Sequence, residues 1–192
     1  MKSSRDSRFL KKVLTAAETE SVRKADDPAA ALWSFWAAKE AAYKVIKKIN
    51  NYASFLPRRW EVILRPATRR YFDGEVALSG EFKVFVRLFL EEEVLHCLAA
   101  DGAGALDEII YAHSIFPDEK DIAAEGASSY LRDFAARKIA EHLSLNASAV
   151  RIERNIVEGE PGPPRLYLVD DASFGDISLS HDGRFVAFAF LP

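Results

Sequence analysis

The chain reads as an α+β protein built from a duplicated strand–helices–strands unit, the two copies related by a pseudo-twofold axis. Three observations predict this. Residues 28–49 carry an unbroken helical stripe of Leu32, Phe35, Ala38, Ala42, Val45, Ile46 and Ile49. Short β-rich runs separated by turn residues follow that helix. Beyond a linker at Asp101-Gly102-Ala103-Gly104 the order of strand, helix and strands recurs. Only the opening strand of the first copy is missing, and the repeat rests on pattern, since the halves share no evident sequence identity. The first half is expected at 1–102 and the second at 105–192, together one compact domain.

Each element has a local reason. Residues 5–14 predict a short basic helix, with Phe9, Leu10 and Val13 inward and Arg5, Arg8, Lys11 and Lys12 outward. Thr15-Ala16-Ala17-Glu18 is a capping-box pattern that starts a second helix. Asp27 is a good N-cap for the third, Pro28 suits its first turn, and Asn50-Asn51 provides a stop. Trp60–Leu64 reads as a strand. Glu75–Leu78 and Phe82–Arg87 flank a turn at Ser79-Gly80, and Val94–Ala100 makes another strand. In the second half, Glu108–Ala112 opens as a strand, Pro117-Asp118 starts a loop, and 126–143 form a helix on Leu131, Phe134, Ala135, Ile139 and Leu143. Val150–Glu153 and Arg165–Leu168 read as strands around a Gly/Pro-rich loop. Ile177–Ser180 and Phe185–Phe190 close the chain as a hairpin over His181-Asp182-Gly183, Asp-Gly being a strong turn signal.

Composition narrows the function classes. The 192 residues leave room for a sizeable core, and 49% hydrophobic with 29% charged residues is ordinary for a globular protein. A formal net charge of −3 argues against general nucleic-acid binding. The polar N-terminus lacks the apolar run of a signal peptide, and no run is long enough to span a membrane. Cys97 is the one cysteine, which fits a reducing compartment, so a cytoplasmic protein is expected. The four histidines, His96, His113, His142 and His181, do not pair at zinc-motif spacing. Arg58, Arg59, Arg65, Arg69 and Arg70 form a local basic cluster, read mainly as solvated.

One helix face departs from the ordinary. Trp36, Glu40 and Lys44 are spaced by four and lie opposite the apolar stripe, with Trp33 on the same side. A solvated face needs no two tryptophans; this mixture suits a ligand or another surface. Glu40 is a hard oxygen donor for Mg²⁺. Lys44, and Lys39 at the stripe's edge, can supply positive charge for phosphates.

The run Trp36-Ala37-Ala38-Lys39-Glu40-Ala41-Ala42-Tyr43-Lys44 fills every defined position of W-x-x-K-E-A-x-x-K. It resembles the signature of the 4'-phosphopantetheinyl transferase superfamily, which includes the holo-acyl-carrier-protein synthases. Arg8, Phe9, Leu10, Val13, Thr15 and Glu18 resemble that family's R-F-L-x-x-V-x-T-x-x-E segment, and Ser178-Leu179-Ser180-His181 resembles its S-x-S-H turn. The resemblance implies transfer of phosphopantetheine from coenzyme A to a serine of an acyl or peptidyl carrier protein. It implies Mg²⁺ on Glu40, with Glu40 and Lys44 catalytic, and coenzyme A phosphates held by Lys39, Lys44, Ser128, Ser180 and His181 in a cleft between the halves. The basic helix with Arg5, Arg8, Lys11 and Lys12 would receive the acidic carrier protein, and the duplicated chain would act as a monomer.

The pattern departs from the family in two places. Relatives carry a G-x-D strand whose aspartate joins the helix glutamate on the metal. Here Asp6 is the sole acidic residue ahead of Arg8-Phe9, in the wrong local context. Either the chain begins at an internal start or this member has lost that ligand, and the expectation is weak or absent turnover. Gly159-Glu160-Pro161 stands where relatives carry G-K-P, which removes one phosphate contact. The alternative is a non-catalytic coenzyme A or carrier-protein binding protein of the same fold.

Overall fold

The computed structural model describes residues 6–68, 70–78, 82–91, 94–115, 124–157, 159–169 and 171–192. Arg5, Arg69, the Ser79-Gly80 turn, the Pro117-Asp118 loop and the Glu160 side chain lie outside the described residues. The fold is α+β, with a four-stranded and a five-stranded sheet, and the chain divides into two compact units, Met1–Asp107 and Glu108–Pro192. Among the described residues no helix is long and apolar enough to cross a membrane.

The first unit opens with three capped helices. Helix α1, Ser7–Val13, starts on Asp6, whose carboxylate accepts the N–H groups of Arg8 and Phe9 at 3.0 and 3.1 Å. Helix α2, Ala16–Lys24, starts on a complete capping box between Thr15 and Glu18. Helix α3, Pro28–Ile49, starts on Asp27, which accepts from Ala29 and Ala30 at 2.9 and 3.0 Å. It ends at Asn50, whose N–H reaches the Ile46 carbonyl at 2.7 Å. Such caps satisfy amides that a helix end leaves orphaned, each for about 1 kcal/mol.

Four strands follow as an antiparallel meander in the order β1-β2-β3-β4: β1 (Glu61–Pro66), β2 (Tyr71–Ala77), β3 (Lys83–Leu90) and β4 (Leu95–Ala100). Helix α3 lies across β3 and β4, and Ala38 and Ala42, both 0% exposed, sit over Val62, Val76, Val84 and Val86. Gly74 is obligatory for the strand pairing, because a Cβ there would lie 2.1 Å from the Ile63 carbonyl oxygen.

The second unit places β5 (Ile110–Ile115) beside the last strand, in the order β5-β9-β8-β7-β6. The others are β6 (Val150–Val157), β7 (Glu160–Leu168), β8 (Asp171–Asp182) and β9 (Phe185–Leu191). This flanking opening strand has no counterpart on β4 among the described residues. Helix α4, Ala124–Leu143, covers one face, burying Leu131, Phe134, Ala135 and Ile139 against Val150, Ile152, Leu166, Ile177 and Phe188.

Two stretches are more regular than the sequence suggests. The expected Gly/Pro-rich loop between the strands is largely β7 itself, because proline's fixed φ suits extended backbone. Its missing N–H groups are absorbed at register shifts beside Arg154 and Ile156. The final hairpin turns one residue later than expected. Asp182 pairs with Phe185 and His181 with Val186, which leaves Gly183-Arg184 as the turn, with Gly183 at φ +53°.

Candidate functional site

Helix α3 presents its residues to three different surroundings. Its Ala38–Ala42 side faces the sheet. The side expected to face a ligand is instead covered by the chain's own first helix: Phe9 packs on Trp33 at 5.9 Å and on Trp36 at 5.5 Å between ring centroids. Trp36 continues to Phe55 at 5.6 Å, and Phe55 to Tyr43 and Trp60 at 5.1 and 5.4 Å. A helix this long meets more than one neighbour, so large aromatics off the main stripe found a second core. Beyond these aromatics Glu40 is exposed, and Lys44, one turn further on, is half-buried.

Lys39 lies elsewhere than at the stripe's edge. It is 0% exposed, and its ammonium donates to Glu18 Oε2 at 2.5 Å and to the Val13 carbonyl at 2.9 Å. Glu18, 3% exposed, also accepts the Thr15 N–H on Oε2 at 2.8 Å and the Val62 N–H on Oε1 at 3.0 Å. Burial pushes the Lys39 amine below its ordinary pKa; the hydrogen bond to Glu18 and its charge oppose that shift. An ammonium so enclosed holds the protein's own carboxylate, and the expectation that it meets phosphate is not what its surroundings offer. The capping box disclosed Glu18's local role, but no sequence signal exposes a partner 21 residues away.

The remaining expected residues fall as follows. Arg8, Lys11 and Lys12 are exposed on α1, and α1 packs against the short 3-10 turn Pro57–Arg59, where Arg58 and Arg59 are exposed too. Asp6 spends its carboxylate on the α1 cap. In the second unit, Ser128 accepts a hydrogen bond from Arg132 one turn later at 3.0 Å, which places a hydroxyl beside a guanidinium on α4. Ser180 and His181 are exposed neighbours within β8 rather than parts of a bend. Successive strand residues face opposite sides, so His181 shares the α4-covered side with its partner Val186, and Ser180 shares the other with Ala187.

Two further polar groups have structural surroundings. Cys97 is partly buried, and burial pushes its thiol well above the ordinary range, which leaves it a poor nucleophile. Arg87 forks onto Asp73 at 2.7 and 3.1 Å, reaches Asp107 at 2.7 Å and lies over the Tyr71 ring, a structural clamp.

A family model of the 4'-phosphopantetheinyl transferase superfamily matches residues 1–105. No curated protein and no solved structure matches the chain.

Proposed function

Because this chain belongs to the 4'-phosphopantetheinyl transferase superfamily, we propose that it moves 4'-phosphopantetheine from coenzyme A to a serine of an acyl or peptidyl carrier protein in the cytoplasm. The observation that carries the reading is the state of α3. Glu40 is exposed there, and Lys44, half-buried, lies one turn further on at i, i+4.

In this reading the carrier serine Oγ attacks the pantetheine-bearing β-phosphorus. A new P–O bond forms there as the bond to 3',5'-ADP breaks, and the serine proton passes to Glu40. Lys44 offsets charge on the leaving phosphate. In the second unit, Ser128 and one of Ser180 and His181, which face opposite sides of β8, are proposed phosphate contacts. The exposed cations of α1 receive the acidic carrier, and Arg58 and Arg59 continue that charge on the abutting turn.

Glu40 fits Mg²⁺ as one hard oxygen ligand, with substrate phosphate oxygens and water as the remainder. Bound there, the ion would compensate charge on the departing phosphate.

The test is transfer of fluorescently labelled phosphopantetheine from coenzyme A to apo-carrier protein, read on a gel and by mass. Label on the carrier serine supports the reading. The second reading, binding without transfer, is favoured by Asp6's engagement in a helix cap. Calorimetry that finds coenzyme A bound without Mg²⁺, beside a transfer assay that finds none, would establish it.

A further inference from the structure

The buried pair is placed where it can set a register. Glu18 gathers donors from three directions: Thr15 at the α2 cap, Val62 early in β1, and Lys39 on α3. Lys39 also ties α3 to the end of α1 through the Val13 carbonyl. The apolar contact between α3 and the sheet has Ala38 and Ala42 at its centre, with Phe35, Val45 and Ile46 of the same helix packed around them. Apolar burial is non-directional, whereas the two ammonium bonds hold only at one position and one angle. Moving α3 along its axis by one residue, about 1.5 Å, or turning it by one residue would break both ammonium bonds. Glu40 is the next residue in the chain, so it moves with Lys39 as one rigid turn.

We propose that Glu18 and Lys39 are positioning residues, whose buried pair fixes the axial and rotational place of α3 on β1 and thereby of Glu40 and Lys44. This rests on the reading of Glu40 as the catalytic carboxylate. Register setting is the best-attested use of buried ionic groups, whose net contribution to stability is often small. An apolar pair of similar volume could fill the same space without fixing the helix.

The experiment uses the full chain as Glu18→Gln/Lys39→Met, which removes both charges together and leaves no buried charge unpaired. Its melting temperature should stay within a few degrees of wild type. Its kcat at saturating coenzyme A and Mg²⁺ should fall about a hundredfold, as a misplacement near 1 Å can cause. The KM for carrier protein should hold, because the α1 cations are untouched. Wild-type kcat in a variant of wild-type stability would overturn the proposal, since a purely structural pair predicts that result. If the double variant does not fold, Glu18→Asp keeps both charges and shortens the reach. A loss of kcat of about tenfold is then expected, and an unchanged kcat overturns the proposal. If the wild type transfers nothing, the catalytic reading falls by itself. The register is then judged by crystallography of the double variant, or of Glu18→Asp: residues 36–44 displaced against 61–66 support the positioning role, and no displacement overturns it.

Discussion

Replacing Lys39 alone by methionine keeps most of the side-chain volume and removes the charge. The Glu18 carboxylate, 3% exposed, keeps its bonds from Thr15 and Val62 but loses its counter-charge. Breaking a buried pair from one side costs about 3–5 kcal/mol, whereas an exposed pair contributes roughly 0–1 kcal/mol. All three tryptophans, Trp33, Trp36 and Trp60, lie in the first unit, so tryptophan fluorescence follows that unit's unfolding. At about 4 °C per kcal/mol for a unit of this size, the midpoint should fall by roughly 12–20 °C. Lys83→Met, which cuts the exposed Lys83–Glu75 pair, is the control and should shift it little. The pH dependence has a definite sign. Burial lowers the folded-state pKa of Lys39, so the unfolded chain holds more protons between that value and the ordinary lysine pKa of about 10.4. Wild-type stability therefore gains from this group as pH rises through that window, and Lys39→Met lacks the gain. A Lys39→Met midpoint within two degrees of wild type at neutral pH would refute the reasoning about the pair.

Other expectations follow from single contacts. Gly74→Ala should destabilise the first unit by about 3 kcal/mol or more, read by denaturant titration, because its Cβ would meet backbone at 2.1 Å and a carbonyl cannot swing away like a side chain. Lys11→Glu/Lys12→Glu should raise the KM for carrier protein at least tenfold and leave the KM for coenzyme A unchanged, in steady-state transfer assays at low salt. One of Ser180→Ala and His181→Ala, but not both, should raise the KM for coenzyme A several-fold, with melting temperatures unchanged since both residues are exposed.

The legible part of the fold was local. Asp27-Pro28, the Thr15–Glu18 box and Asn50 mark helix ends by chemistry confined to one turn, and those ends stand where the residues place them. The Asp-Gly signal found the last hairpin but not its register, which cross-strand packing of Val186 and Phe188 on α4 decides to within one residue. That one residue matters, because it places His181 within β8, on the side opposite Ser180, rather than in the turn. The signature helix showed a similar limit. Spacing by four set Trp36 beside Glu40 and Lys44, but α1's covering of the tryptophans depends on a tertiary contact with Phe9. Lys39 looked like an edge residue because a 100° step per residue cannot reveal that Glu18 waits beyond the stripe.

The central claim concerns Glu40 and is tested most directly by comparing wild type with Glu40→Gln in carrier-protein labelling under Mg²⁺. The exposed position predicts equal melting temperatures for the two proteins. The account predicts labelling of the carrier serine by wild type and a loss of about a hundredfold or more in the variant. Labelling at the same rate by both proteins, or by neither, would contradict it.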